Sequence, residues 1–305
     1  TENTKTVINF LKKQKKIKEI LYPYKPSSRN YITELFASKI MNNYSIMSPR
    51  HEYVRLYING EHMGIRHIEE GFGRELIESQ NKRYGPIYFS DGMVGDRSNN
   101  EIREIKFEVY NKNYWRQNNI NLLRDGLYVL DGLNGSSNEF INKHFDIKLW
   151  AKYFALSDAL NLFHGTNPLA VRYYLNPVTG LIEPIFFNGH FATGRWDNWK
   201  NYKFNFSDMI NSENSNCGWI CEDNTSRAFY HRFFGETKEP NLIFYHEYIN
   251  SLKDITSSKS LKPTWESLKT FRGHLYRDGW KINRWHGEGA LPYIAPWGAI
   301  NERLN

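Results

Sequence analysis

Arg172-Tyr173-Tyr174-Leu175-Asn176-Pro177-Val178-Thr179-Gly180-Leu181-Ile182-Glu183-Pro184-Ile185-Phe186-Phe187-Asn188-Gly189-His190-Phe191-Ala192-Thr193-Gly194 reads as a β-hairpin that empties into a polar loop flanked by glycines. Val171 to Leu175 is β-branched and aromatic, and Leu181 to Phe187 is a second apolar run. Between them, Asn176-Pro177-Val178-Thr179-Gly180 carries turn chemistry. The apolar run stops at Asn188-Gly189-His190, where Gly189 and Gly194 let the backbone approach a ligand or take positive φ. A polar side chain at a strand end is where kinase-like folds hold the metal that bridges nucleotide phosphates. The same spacing also describes an ordinary surface hairpin with a polar exit.

Two further stretches precede it. Arg55-Leu56-Tyr57-Ile58-Asn59-Gly60-Glu61-His62-Met63-Gly64-Ile65-Arg66-His67-Ile68-Glu69-Glu70 reads as strand, tight turn, strand and an acidic end. Lys25-Pro26-Ser27-Ser28-Arg29-Asn30-Tyr31-Ile32-Thr33-Glu34 reads as the start of a helix. In this order, the three segments resemble the spore coat protein H (CotH) kinase-like family over about residues 21 to 194. That family has a Pro-x-x-Arg-x-Tyr-x-x-Glu helix start, an Asn-Gly-x-x-x-Gly turn between strands, and a strand ending in Pro-Ile-x-x-Asp-x-x-Phe.

The resemblance implies an α+β, atypical protein-kinase-like two-lobed fold. A strand-containing lobe is expected over residues 1–130, and a helical lobe with the 171–187 hairpin over 131–305. It implies ATP with Mg²⁺ or Mn²⁺ as cofactors and a protein side chain as acceptor of a phosphoryl, or a nucleotidyl or related, group. Glu69 or Glu70 would anchor the lysine that contacts phosphate, and Arg172 would hold phosphate through its planar fork. Lys12 to Lys18 are candidates for that lysine only as a group.

The chain departs from the family at the reactive positions. Asn188 stands where the family has its metal-binding Asp, and an amide oxygen brings no charge to offset a divalent cation. The proton-accepting Asp is replaced by His164, or by Leu162 if Asn167 is taken as the second metal ligand. Leu169 stands five residues beyond His164. Histidine acts as a base near neutral pH, and Asp158 is an alternative acceptor. Asn188 therefore fits an inactive kinase-like protein, a site that uses His190 or another carboxylate such as Asp197 or Asp208, or a deliberate Asp-to-Asn change.

Composition is compatible with such an enzyme and excludes little else. The 305 residues hold 20 Tyr, 19 Phe and 9 Trp, which predicts an aromatic core whose polar edges need partners. A net charge of +7 favours anionic partners. No recognition signature for nucleic acid is present, so nucleic acid is not an expected partner. No run approaches 18 apolar residues, which predicts a soluble chain. It starts without Met, which leaves export with removal of a signal open. Cys217 and Cys221 read as two free thiols ahead of a local disulfide or half of a metal site.

Elsewhere, Ser28 or Asn30 should cap a helix through about Met41, with Ile32, Leu35, Phe36 and Ile40 as its apolar stripe. Glu69 and Glu70 should open a helix over roughly 72–81, and Asp91 to Glu104 should be a loop. Asp146 should cap a helix running to about Leu162, apolar on two sides and therefore buried. Asp158 shares its face with Trp150 and Phe154 and so needs a hydrogen-bonding or cationic partner. Phe229, Phe233, Leu242, Phe244, Tyr248 and Leu252 suggest further packed helices. The motifs Arg195-Trp196-Asp197-Asn198-Trp199, His231-Arg232-Phe233-Phe234 and Trp280-Lys281-Ile282-Asn283-Arg284-Trp285-His286 read first as core and rim. Their second reading is a stacking surface for bases or sugars, which keeps a carbohydrate-binding protein as an alternative beside a non-catalytic kinase-like scaffold.

Overall fold

Among the described residues, strand pairing generates two larger sheets and a two-stranded ribbon, Gly235–Glu236 with Glu239–Pro240, in the computed structural model. It describes residues 17–21, 31–94, 104–135, 137–160, 162–166, 168–187, 229, 231–236, 238–257 and 261–270. The first sheet comprises β1 (Ile17–Leu21), β2 (His51–Ile58) and β3 (Glu61–Glu70), in the antiparallel order β1-β3-β2. Helix α1 (Tyr31–Asn43) lies between β1 and β2 in sequence. Asn59 (φ 52) and Gly60 (φ 83) both occupy the left-handed region, as a two-residue turn with the twist of its strands requires.

Glu69 and Glu70 do not open a helix. They complete β3, where Ile17 lies opposite Glu70 and the Glu70 amide donates to the Arg50 carbonyl at 3.0 Å. Pairing on both sides of β3 overrides the acidic helix-start signal, and helix α2 (Arg74–Ser79) begins only after Gly71-Phe72-Gly73.

The second sheet is antiparallel, in the order β5-β4-β6-β7, built from β4 (Ile87–Val94), β5 (Glu104–Val109), β6 (Arg172–Leu175) and β7 (Ile182–Ile185). The hairpin forms where the sequence places it. Arg172 is opposite Ile185, Leu175 is opposite Ile182, and both strands are buried throughout. Its turn is closed by Gly180 N–H donating to the Asn176 carbonyl at 2.8 Å and by Val178 N–H donating to Asn176 Oδ1 at 2.9 Å, with Gly180 at φ 73.

The expected loop from Asp91 is instead the second half of β4 as far as Val94. The register slips between Ser90 and Gly92, so the exposed Asp91 sits on a β-bulge, which hides the strand's alternation. Residues 95–103 lie outside the described residues. The sheet takes two strands from each side of residue 130, with Tyr88 of β4 opposite Tyr173 of β6.

Both outer strands of this sheet have neighbours that imitate a strand. The Asn134 side chain accepts from the Ile105 amide at 2.8 Å and donates to the Ile105 carbonyl at 3.1 Å on β5. On β7, Met47 and Phe145 form single parallel bridges to Ile185 and Ile182, and the Phe186 amide donates to the Met47 carbonyl at 2.8 Å.

Helices α3 (Lys112–Asn118), α4 (Ile120–Asp131), α5 (Asn138–His144) and α6 (Ile147–Ala159) join the two halves of the sheet in sequence. Asp146 caps α6 as its sequence predicts, with Oδ1 accepting from Leu149 N–H at 3.0 Å. Asp146→Ala should therefore cost about 1 kcal/mol. Chemical denaturation should show it as a lower midpoint at unchanged slope; a variant as stable as the parent would remove the cap from the account.

Trp150, Tyr153 and Phe154 of α6 are fully buried, and α7 (Leu242–Ser257) packs along the helix. Phe229, Phe233, Phe244 and Tyr248 are buried as expected, and Leu252 is partly buried. Leu242 is not, being 72% exposed as the first residue of α7. Helix α8 (Leu261–Ser267) returns to α1, where the Phe36 and Trp265 rings meet edge to face at 5.3 Å. No helix among the described residues is long and apolar enough to cross a membrane.

Candidate functional site

The candidate residues fall on three short segments, each positioned by a buried aromatic or charged side chain. The first is the end of β3. Glu69 is 1% exposed, and Glu70 accepts from Arg50 twice, from Nη2 at 2.5 Å and from the backbone N–H at 3.2 Å. The Glu70 carboxylate and its hydrogen bond push the Arg50 guanidinium pKa further up. The β1–β3 register slips between Ile17, opposite Glu70, and Glu19, opposite Glu69, so Lys18 occupies the bulge beside the acidic pair.

The second segment follows α6. Near the C-terminus of that helix, Asp158 Oδ2 accepts from the Tyr248 hydroxyl at 2.9 Å, so the polar partner that the sequence demands comes from α7. The chain then turns through a 3₁₀ segment, Phe163–Thr166, whose backbone carries His164. This turn is tied on three sides. The Leu162 amide donates to the Ser157 carbonyl at 2.7 Å, the Gly165 amide donates to Leu162 at 2.9 Å, and the buried Tyr153 hydroxyl donates to the Gly165 carbonyl. Tyr173 of β6 donates to the Pro168 carbonyl at 3.3 Å, so the hairpin itself holds the far side of the loop. Burial pushes the Tyr173 hydroxyl far up, which keeps it a neutral donor.

The third segment is the exit of β7. Phe187 is buried and lies under the Arg172 guanidinium at 4.5 Å, with Phe72 edge to face against it at 5.1 Å. Asn188 and Asn167 lie outside the described residues, as do His190, Asp197, Asp208, Cys217, Cys221 and the Trp-rich motifs at 195–199 and 280–286. In the remaining motif, Phe233 and Phe234 are core residues, with Phe233 stacked on Trp150 at 4.6 Å.

Arg172 has partners that its sequence position does not reveal. The side chain is 8% exposed; Nη1 donates to the carbonyls of Leu169 (2.9 Å), Ala170 (2.8 Å) and Val171 (3.1 Å), and Nε donates to the Tyr110 hydroxyl at 2.9 Å. Its guanidinium also faces the rings of Phe72 at 5.4 Å and Phe89 at 5.9 Å. Tyr110 stacks on Phe72 at 5.2 Å. Burial pushes the Tyr110 hydroxyl pKa up, Arg172 opposes that rise, and nearby Glu69 adds to it.

Tyr110, Phe72 and Tyr153 are thus the site's unanticipated members. The sequence holds one cue to them, since Phe72 is an aromatic residue pinned between two glycines, Gly71 and Gly73. Among the described residues, no three His, Cys, Asp or Glu side chains are gathered to hold a metal ion.

No curated protein matches the chain. The three segments that carry the resemblance all lie inside residues 21–285, the region matched by the model of the CotH kinase protein family, and the chain belongs to that family.

Proposed function

We propose that the chain is an atypical kinase-like phosphotransferase of two-lobed architecture that uses ATP with Mg²⁺ or Mn²⁺ to modify a protein side chain. Membership of the CotH kinase family supports this reading. The observation that carries it is the register at the end of β3, where Lys18 occupies a bulge beside a buried Glu69 and an ion-paired Glu70. A lysine beside a buried acid is the arrangement by which kinases anchor the phosphate-contacting amine. By its place in the register opposite the bulge, Glu69 is the proposed anchor of Lys18.

His164 is the proposed proton acceptor. Asp158 is the weaker candidate because the Tyr248 hydroxyl already donates to its Oδ2. Asn188 and Asn167 are the proposed metal ligands. Two amides supply no charge, so the reading makes the present sequence a weak binder of divalent metal and a slow or silent enzyme.

The test is Asn188→Asp. The variant should bind Mn²⁺ with ATP at least tenfold more tightly than the parent and should transfer label from γ-labelled but not α-labelled ATP to itself or to an added protein. His164→Ala in that background should then abolish labelling. Transfer from α-labelled ATP would make the enzyme a nucleotidyl transferase. A folded Asn188→Asp protein with neither tighter metal binding nor labelling would favour a non-catalytic scaffold that binds a protein partner.

A further inference from the structure

We propose that Arg172 is the positioning residue of the candidate site, joining the segments that carry it without touching phosphate. The proposal rests on the transferase reading for what the site does, but its geometry stands independently. One guanidinium meets all three segments. Through Phe72 it reaches the turn that follows Glu69 and Glu70; through Phe187 it reaches the residue before Asn188. Through Nη1 it holds the carbonyls of Leu169, Ala170 and Val171, on the chain that leaves the His164 turn for the hairpin.

A planar, delocalised cation suits this task. It donates along its edges while its faces lie on aromatic rings, and it is more weakly hydrated than an ammonium group. Charge-assisted donors are also the stronger ones, so three carbonyls and one hydroxyl held by a buried guanidinium form a stiff junction. Tyr110 extends the junction, because its hydroxyl accepts from Nε while its ring stacks on Phe72 and it feels the field of Glu69. A shift at the acidic end of β3 is therefore felt at the loop and at the hairpin exit through one side chain. Lysine keeps the charge at position 172 but lacks the planar fork that reaches Tyr110 through Nε and the loop carbonyls through Nη1.

Arg172→Lys should accelerate amide hydrogen exchange at least tenfold in the segments 71–73, 168–171 and 186–187 together. Tyr110→Phe, which removes the Nε acceptor and keeps the ring, should produce the same pattern more weakly and serves if Arg172→Lys does not fold. Lys82→Met is the control for general loosening. Lys82 pairs with the buried Glu183 at 2.5 Å on the same hairpin, opposite Tyr174 rather than Arg172 in the register, and its loss should spare 71–73 and 168–171. Faster exchange confined to 168–171, or an equal rise in all three segments in Lys82→Met, would overturn the proposal. Calorimetry with Mn²⁺ and ATP adds a functional readout in the Asn188→Asp background, where Arg172→Lys should raise Kd at least tenfold and Lys82→Met less than twofold. Absence of binding in that background counts against the transferase reading, while the exchange pattern alone decides the role of Arg172.

Discussion

Alanine in place of Trp150 is expected to destabilise the protein by about 4 kcal/mol, near the upper end for removal of a large buried aromatic. The indole is fully buried and ringed by Phe233 at 4.6 Å, Tyr173 at 5.7 Å, Tyr153 at 5.9 Å, Phe154 at 6.0 Å and Phe145 at 6.1 Å. These rings come from α6, the hairpin, the helical segment at 231–234 and Phe145 at the end of α5, so a cavity at Trp150 loosens four segments at once. Rigid rings held by several elements collapse poorly into a void, which places the cost near the top of the range. The lost hydrogen bond is the smaller part. Trp150 Nε1 donates to the Ile182 carbonyl at 2.9 Å, but that oxygen also accepts from the Asp146 amide at 3.0 Å and stays paired in the variant. Urea denaturation of Trp150→Ala and Trp150→Phe measures this directly. The phenylalanine variant should lose less than half as much, and a loss below about 2 kcal/mol for alanine would mean that the core repacks.

Gly85→Ala should be nearly as damaging for the opposite reason. A Cβ at Gly85 would stand 2.3 Å from the Leu175 carbonyl oxygen and 2.8 Å from Pro177 Cδ. Neither is the free end of a flexible side chain. The Leu175 amide next to that oxygen donates to the Pro86 carbonyl at 3.1 Å, which fixes the approach from both sides. The methyl must push the start of β4 away from the end of β6, at a cost of about 3 kcal/mol. Thermal and urea melts of Gly85→Ala check this, and a variant within about 1 kcal/mol of the parent would show that the chain gives way there.

The elements legible in the sequence are those whose signals are local. The hairpin carries its strand and turn chemistry within a few residues, and the Asp146 cap needs only Leu149 three positions away. Asp158 is half legible, since its place on an apolar face announces a need for a partner but not that Tyr248 meets it. Glu69 and Glu70 were unreadable as strand residues because their conformation is imposed by β1 on one side and by residues 50–51 on the other. The second half of β4 was hidden by the bulge at Asp91. Arg172 shows most clearly why the site is harder to read than the fold. An arginine at a strand start suggests an anion, and nothing in its position announces that its acceptors within the chain are three carbonyls and a tyrosine 62 positions upstream. Main-chain acceptors leave no trace in residue types.

The strand-like neighbours of β5 and β7 bear on how copies of the chain meet one another. A sheet's outer strands are templates for edge-to-edge association, and a four-stranded sheet rich in Tyr, Ile and Phe would be a hazardous one. Here the amide of Asn134 occupies both backbone groups of Ile105 at one margin. At the other, the Phe186 amide is taken by Met47, and the Ile182 carbonyl by Asp146 and Trp150. A foreign strand arriving at Ile105, Ile182 or Phe186 has to displace a partner already in place, so these positions on the two margins are closed to edge-to-edge pairing.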